Sequence, residues 1–402
     1  MKIIIATRIF EPEPSAASFR LAALARAFAD RGHDVAVLTV KLPKSYFGDI
    51  SSVDRSRGYR VTRFPVLRDR EGYVRGYLQY LSFDIPLFFR LLFGHKADLV
   101  VVEPPPTTGF FARFATRLRR TPYVYYAADI WSDAAGQTGA PAFVVNAVRA
   151  VERWVWRGAR GVFSVSPGVS ERITQLQPKS KVIEVGNGVD VERMQTALTR
   201  EPERGTDLTP AFVYAGTASE WQGASELVEA YARSSAKEKF PLRFIGGGSE
   251  REALRALAER LGVADRVSFE ATVPVEEISH ILANSVAAVV TLKPGVGYDF
   301  AFPTKVLAAL ACGAPVVFAG PGPVRDFLKQ EVSGRKLGVS CDWDAQELSQ
   351  LIDEAAREFE ELNGEHRTEV RSWAAQHVSI DAVMSKAVRA VEARLQSATQ
   401  AL

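Results

Sequence analysis

Short apolar runs rich in β-branched residues recur along the first half of the chain, and stretches with helical spacing separate them. Residues 19–33 repeat Leu and Ala at helical spacing between the first two runs and end near Gly32, which predicts a β-α-β unit. The runs are continuously apolar, as is typical of parallel strands that helices cover on both faces. They cover residues 2–7, 34–40, 59–66, 98–105, 123–131, 161–167 and 181–188.

The pattern restarts after residues 199–210, a charged, proline-containing stretch that we interpret as an interdomain linker. Helical spacing returns from about Trp373 onward. The sequence thus predicts an α/β protein with two doubly wound Rossmann-like domains, at 1–198 and 211–372, and a C-terminal helix within 373–402. The apolar runs of the second half are 211–218, 242–248, 266–273, 286–292 and 314–320.

Composition narrows the class of protein. The chain has 402 residues, more than one hydrophobic core usually organises, and its 47% hydrophobic content excludes a largely disordered protein. Two cysteines exclude a disulfide framework, and the five histidines include no pair at metal-ligand spacing. No apolar run is long enough for a transmembrane helix, and the N-terminal run is too short for a signal peptide. We therefore expect a cytoplasmic protein that holds no metal and no cofactor.

Charge is distributed unevenly along the chain. Residues 1–190 contain 27 Lys and Arg against 17 Asp and Glu, whereas the remainder contains 23 against 30. An anionic partner of the first half, such as a membrane surface or a phosphorylated substrate, would explain this difference, and so would ordinary variation in surface composition.

Residues 73–96 raise the same question, because aromatic residues and arginines are crowded there. Aromatic residues at helical spacing usually pack inside a protein, and this interpretation is favoured. The alternative is an interfacial helix flanked by Arg75 and Arg90. Its apolar face would consist of Tyr77, Tyr80, Leu81, Phe88 and Phe89.

Loops that follow the strands of the second half are candidates for chemistry, because ligands of open parallel sheets bind beyond the carboxyl ends of the strands. Gly216 and the glycines at 246–248 lie at the ends of two predicted strands and allow close approach of a ligand, although a glycine there more often serves a turn. Thr304 and Lys305 begin a predicted helix, where an ammonium group can join backbone amides around a diphosphate. A solvated lysine at a helix start is the alternative interpretation.

Two places in the first half are candidates for binding a second substrate. Asp129 lies at the carboxyl end of a predicted buried strand beside Trp131, where a carboxylate can hold an acceptor hydroxyl or take its proton. An aspartate that merely caps a turn would explain the same position. The other place is the loop after the first strand, with candidate residues Ser15, Ala16, Ala17 and Arg20.

The order of these landmarks resembles that of retaining glycosyltransferases of the GT-B fold, specifically the family 4 group that uses nucleotide sugars. The resemblance spans nearly the whole chain. Within the group, DLVVVEPPP followed by YAADIWSD is similar to bacterial enzymes that build surface polysaccharides and lipid-linked oligosaccharides. The other matching segments are PEPSAAS, SPGVSERI, GNGVDVERM, YAGTASEWQG, FIGGGSEREAL, RVSFEATVPVEEI and FPTKVLAALACGAPVV.

The resemblance implies two domains that face each other across a cleft, with the C-terminal helix crossing back onto the N-terminal domain. The first half would bind a saccharide or polyprenyl-linked acceptor, and nucleic acid is not expected as a partner. Asp129 and Lys305 would be catalytic, and transfer would retain the anomeric configuration without a metal. The implied donor-binding residues are Gly216, Thr217, Gln222, Gly246, Gly247, Gly248, Val273, Thr304 and Lys305.

Departures from the family favour an alternative. The family usually carries an arginine where this chain has Thr217 and a lysine where it has Gln222, and two glutamates where it has Phe300 and Ala308. The second hypothesis is therefore a non-catalytic relative that acts as a binding or assembly subunit. A nucleotide-sugar epimerase of similar architecture is the third. For the transferase we expect a location in the cytoplasm, at the inner face of the cell membrane.

Overall fold

The computed structural model describes residues 1–13, 15–42, 54–69, 74, 76–137, 140–361 and 364–400. The chain divides into two compact units. The first consists of residues 1–186 together with the chain from Asp381 onward, and the second of residues 187–380. Both are α/β units built on a parallel sheet, which confirms the predicted fold class of two doubly wound, Rossmann-like domains.

The sheet of the first unit has seven parallel strands in the order β3-β2-β1-β4-β5-β6-β7. Each of the seven predicted apolar runs supplies one strand, and the central strands β4, β5 and β6 are buried along their whole length. The strands are β1 Lys2–Ala6, β2 Asp34–Val40, β3 Arg60–Phe64, β4 Leu99–Val102, β5 Tyr123–Ala127, β6 Gly161–Ser164 and β7 Val182–Glu184. The helices among them are α1 Ala16–Asp30, α2 Tyr77–Phe93, α3 Pro106–Leu118, α4 Trp131–Gln137, α5 Ala142–Gly158 and α6 Pro167–Leu176.

The sheet of the second unit has six parallel strands in the order β10-β9-β8-β11-β12-β15, beside a short antiparallel pair β13-β14. The five predicted runs supply all but the edge strand β15. The strands are β8 Phe212–Ala215, β9 Leu242–Ile245, β10 Val267–Glu270, β11 Ala287–Thr291, β12 Val316–Ala319, β13 Glu331–Val332, β14 Arg335–Lys336 and β15 Gly338–Cys341. Separate hydrophobic clusters cover the two faces of the sheet.

The helices of the second unit complete these two clusters. They are α7 Val191–Leu198, α8 Ser225–Arg233, α9 Arg251–Arg260, α10 Val275–Asn284, α11 Thr304–Ala311, α12 Val324–Leu328, α13 Ala345–Glu361 and α14 Gly364–His377. The last helix of the chain is α15, Ile380–Gln400.

The boundary between the units lies at Gly186, earlier than the linker predicted at 199–210. The reason is that α7, which precedes this stretch, buries Val191 and Met194 in the core of the second unit. The chain therefore joins the second unit well before its charged stretch begins.

The C-terminal helix also begins later than predicted. Trp373 lies in α14 of the second unit, and α15 starts at Ile380. From Asp381 onward the chain belongs to the first unit, where Arg31, directly after α1, donates a hydrogen bond of 2.6 Å to Glu392. Apolar spacing alone did not reveal the break between the two helices.

A buried carboxylate fixes the start of α4, two residues after Asp129. Glu152 on α5 is 1% exposed and accepts the backbone N–H groups of Trp131 at 2.8 Å and Ser132 at 3.0 Å. Burial raises the pKa of Glu152 to about 7 despite these hydrogen bonds. The segment that carries Asp129 is therefore anchored to α5 by a group that titrates near neutral pH.

We expect Glu152→Gln to flatten the pH dependence of stability. The folded-state pKa of Glu152 lies above its unfolded value, so the folded protein binds the additional proton and the free energy of unfolding falls as pH rises from about 4.5 to about 7. This side chain contributes a few kcal/mol to that fall, and glutamine removes the contribution. Chemical denaturation of both proteins at several pH values measures the slopes. Equal slopes would contradict the prediction, whatever the absolute stabilities.

Candidate active site

Lys305 reaches from the start of α11 to the loop that follows β8. Its Nζ donates to the carbonyl oxygen of Thr217 at 2.7 Å and to Oε1 of Gln222 at 3.1 Å. The ammonium also lies 3.7 Å from the centroid of the Tyr214 ring. The solvated-lysine alternative is therefore wrong, because the ammonium is held inside the second unit at the carboxyl edge of its sheet.

The contacts of Lys305 are all neutral. Among the residues that the structure describes, no carboxylate forms an ion pair with it, and burial lowers its pKa well below the usual value for lysine. Lys305 as a whole is half-buried, and an ammonium withdrawn from water without a counter-charge is costly in the free protein. An anion that binds beside it would remove that cost.

Glycines make this approach of the lysine possible. Gly216 has a φ of +119°, and a Cβ at this position would lie 3.0 Å from Cε of Lys305. Gly246 has a φ of +136°, and its Cβ would lie 2.5 Å from the carbonyl oxygen of Gly216. Gly248 packs in the same way against Ala218, whereas a side chain at Gly247 would meet open space. Gly246 and Gly248 thus allow two loops to pack closely, whereas Gly247 borders open space.

Gln222 is buried and orients Lys305. Its Oε1 accepts from the Tyr214 hydroxyl at 2.9 Å, from the Ser219 N–H at 3.3 Å and from Lys305. Three donors share one oxygen, so this oxygen is fully engaged inside the protein. The Thr217 side chain is exposed, and its contribution to the site is its carbonyl oxygen.

Two other predicted donor residues differ in their exposure. Thr304, the first residue of α11, is exposed, and Val273 after β10 is half-buried against the core. Whether they contact a donor stays a prediction.

Sequence reasoning missed Lys293 and Trp343, which follow β11 and β15. Trp343 Nε1 donates to the Gly223 carbonyl oxygen at 3.1 Å, and the Lys293 ammonium lies 5.8 Å from the centroid of the Trp343 ring. The strand-end rule that found Gly216 applies to Lys293, and it would have found Trp343 had β15 been predicted. The Trp221 and Tyr298 rings, 4.8 Å apart, add an aromatic pair to this edge.

In the first unit, Asp129 is exposed after the carboxyl end of β5. The surrounding protein shields the Asp129 carboxylate from water, which raises its pKa, and the positive charge of Arg20 opposes this rise. Arg20 itself donates to Glu103 at 3.2 Å and lies 4.8 Å from the centroid of the Tyr126 ring. Arg20 is therefore largely occupied by an ion pair rather than free for a substrate.

The predicted loop with Ser15, Ala16 and Ala17 is the N-cap and first turn of a helix. Ser15 is the N-cap of α1 and accepts the N–H of Ser18 at 3.1 Å, so helix formation begins at Ala16. Ala17 is half-buried, and the Ala16 side chain lies outside the described part of the protein.

The side chains of segment 73–96 differ in exposure, so each of the two interpretations fits some of them. The guanidinium of Arg90 lies 3.4 Å from the centroid of the Phe64 ring, and Arg75 lies outside the described residues. In the described part of the chain, no helix has the length and apolar character to cross a bilayer. The half-buried members of the proposed apolar face are Tyr80, Leu81 and Phe88, and the exposed ones are Tyr77 and Phe89.

Arg8, which the sequence analysis missed, lies at the same edge of the first sheet as Asp129. Its guanidinium lies 3.9 Å from the centroid of the Tyr80 ring, and the Tyr80 ring lies 6.2 Å from that of Trp131. Nε and Nη1 of Arg8 are buried without a hydrogen bond to any described residue. The strand end that carries Arg8 was the available signal.

Two sequence families match the chain one after the other. The glycosyl transferase 4-like domain matches residues 16–188, and glycosyl transferases group 1 matches residues 199–370. Together these matches cover most of the chain.

Individual proteins agree with this result. The uncharacterized glycosyltransferase MJ1607 of Methanocaldococcus jannaschii is 23% identical over 83% of this chain and 84% of its own length. The GDP-mannose-dependent alpha-(1-6)-phosphatidylinositol monomannoside mannosyltransferase of Mycolicibacterium smegmatis is 30% identical over 43% of this chain and 44% of its own length.

A solved structure extends the likeness to the whole fold. Anabaena Alr3699/HepE in complex with UDP superposes with a TM-score of 0.69 at 18% identity, over 98% of this chain and all of that one. The chain belongs to the glycosyltransferases of the GT-B fold, with a glycosyl transferase 4-like first half and a second half of glycosyl transferases group 1.

Proposed function

We propose that the protein is a metal-independent, retaining glycosyltransferase. It moves a sugar from a nucleotide diphosphate sugar to a polysaccharide precursor or polyprenyl-linked acceptor at the inner face of the cell membrane. The observation that carries the proposal is the Lys305 ammonium, buried among neutral groups at the carboxyl edge of the second sheet. A diphosphate would supply the negative charge that is missing beside this ammonium.

The chemistry follows from the charge that develops during transfer. The bond between the anomeric carbon and the diphosphate oxygen breaks, and the electron pair stays with the leaving nucleotide diphosphate. Lys305 and the backbone amides at the start of α11 stabilise that charge. The acceptor oxygen forms the new bond on the same face of the sugar, which retains the anomeric configuration.

Asp129 is proposed to hold the acceptor hydroxyl. The acceptor proton must leave as the new bond forms, and it passes to Asp129 or to the departing diphosphate. The raised pKa of Asp129 suits proton uptake, because a stronger base takes a proton more readily. The buried nitrogens of Arg8, at the same sheet edge, suit a phosphorylated acceptor.

A lipid-linked acceptor draws further support from the comparisons. The mycobacterial relative is named for mannosyl transfer to a phosphatidylinositol mannoside. The excess of basic residues in the first half of this chain fits a membrane-associated or phosphorylated acceptor.

The second candidate function is a non-catalytic binding or assembly subunit. It is favoured by Ala308 and Phe300, which stand where the family usually has glutamates. Calorimetry with UDP- and GDP-sugars separates the two functions. A scaffold binds none of them at millimolar concentration, whereas the transferase binds at least one.

Product analysis tests the reaction itself. With an α-linked nucleotide sugar, saccharide and polyprenyl-phosphate-linked acceptors, and EDTA, we expect an α-linked product, identified by the NMR coupling of its anomeric proton. A β-linked product would contradict retention. Loss of transfer in EDTA that added Mg²⁺ restores would contradict metal independence.

Lys305→Met tests the proposed role of the ammonium. We expect kcat/KM to fall about 10²–10³-fold, the usual cost of removing one group that stabilises transition-state charge. The free variant is expected to be at least as stable as the parent at neutral pH, because methionine fills similar space without a buried charge. Lys336→Met, at an exposed lysine of the same unit, is the matched control. Parental turnover in a folded Lys305→Met protein would remove Lys305 from the mechanism.

The lowered pKa of Lys305 also predicts that donor binding takes up protons. A diphosphate beside the ammonium raises its pKa, so above the pKa of the free protein the complex holds more protons and affinity falls as pH rises. Calorimetry in buffers of different ionisation enthalpy measures this uptake. Lys305→Arg, which stays protonated, should bind without the uptake. The same uptake in that variant would assign it to another group.

A further inference from the structure

A cavity of about 560 Å³ lies at the amino edge of the first sheet. Asp98, which precedes β4, and Arg160, which precedes β6, line it together with Tyr123 at the start of β5. Asp129 follows the other end of β5, so the cavity belongs to the sheet edge opposite the proposed acceptor site. The mechanism proposed above does not use it.

Four arginines dominate the charge of the cavity. Within the described part of the protein, none of them forms an ion pair, and Nη1 of Arg113 is buried without a hydrogen-bond partner. The carboxylate in the lining, Asp98, already accepts the N–H of Lys2 at 2.7 Å. The arginines are Arg113, Arg117, Arg120 and Arg160.

The guanidinium of Arg113 is packed against an aromatic ring and a glycine. Its guanidinium lies 3.9 Å from the centroid of the Trp154 ring, and a Cβ on Gly158 would lie 2.4 Å from its Cζ, so glycine leaves the space that the guanidinium fills. Burial lowers the pKa of Arg113, and the charges of Arg117 and Arg157 lower it further. An anion in the cavity would offset both effects.

Exposed apolar side chains adjoin these arginines. Phe114 and Leu118 are on the same helix as Arg113 and Arg117, with exposed fractions of 43% and 64%. At the end of α2, Phe93 is 77% exposed. Arg119 joins the two helix ends, since its Nη1 donates to the Leu91 and Gly94 carbonyl oxygens at 3.1 and 2.6 Å.

We propose that the cavity binds the phosphate of an anionic phospholipid headgroup, while Phe93, Phe114 and Leu118 enter the apolar part of the same leaflet. A small soluble phosphate compound would use the arginines and leave the apolar side chains in water. A second copy of the chain would bring the same positive charge to the interface. An anionic bilayer satisfies both the charge and the apolar surface. The inference rests on the proposed membrane location. Because the cavity lies at the sheet edge opposite Asp129, it assigns a surface that anchors the chain on the leaflet and not the route by which the acceptor reaches Asp129.

Vesicle sedimentation tests the proposal. The full chain should bind phosphatidylcholine vesicles that contain 30% phosphatidylglycerol and not pure phosphatidylcholine vesicles. Arg117→Gln with Arg120→Gln should weaken binding about 30-fold, and Phe114→Ser with Leu118→Ser at least about tenfold. Arg335→Gln with Lys336→Gln is the matched control, because it removes the same charge outside the cavity and should bind like the parent.

Three outcomes would overturn the proposal. The first is parental vesicle binding by the arginine variant, and the second is an equal loss in the control variant. The third is saturable binding of inorganic phosphate or pyrophosphate to the cavity without vesicle binding, which would assign the site to a soluble ligand. Nucleotide calorimetry on the same variants keeps this test separate from the proposed function, since the cavity changes should leave donor binding unchanged.

Discussion

The burial of one ammonium group without a counter-charge constrains the whole candidate active site. Lys305 has a carbonyl oxygen, an amide oxygen and an aromatic ring as its contacts. Each of these has a supporting structure, since Gly216 leaves room for the lysine stem and Tyr214 and Ser219 orient the Gln222 amide. The free protein carries the desolvation cost of the charge, and the diphosphate of the proposed donor would offset that cost.

The sequence indicates the strands well and the boundaries between units poorly. Continuous β-branched runs identify the buried strands because burial on both faces leaves no place for polar residues. The short edge strand β15 and the break between α14 and α15 escape this signal. The unit boundary at Gly186 depends on where α7 packs. The local composition of a helix does not predict which core it packs against.

The candidate site shows the same division. The start of the helix that carries Lys305 is predictable from sequence, whereas the direction of the Lys305 side chain is not, because it depends on Gly216 after β8, the strand next to β11. Glu152 is the opposite case: it looks like one more charged residue on an amphipathic helix, and only the fold shows that it caps α4. Side-chain chemistry that depends on two elements far apart in sequence needs the coordinates.

The departures of this chain from its family are consistent with a site that concentrates its positive charge. The family usually has a cation at position 222, where Gln222 offers Lys305 an oxygen instead. Two ammonium groups about 4 Å apart repel each other by about 4 kcal/mol at an effective dielectric constant of about 20. Such a pair becomes favourable only when an anion lies between them. Gln222 holds the lysine in position in the free protein, so under the proposed function one cation, oriented in advance, would take the place of several. The loss of the arginine and lysine therefore argues for a redistributed diphosphate site rather than for an abandoned one.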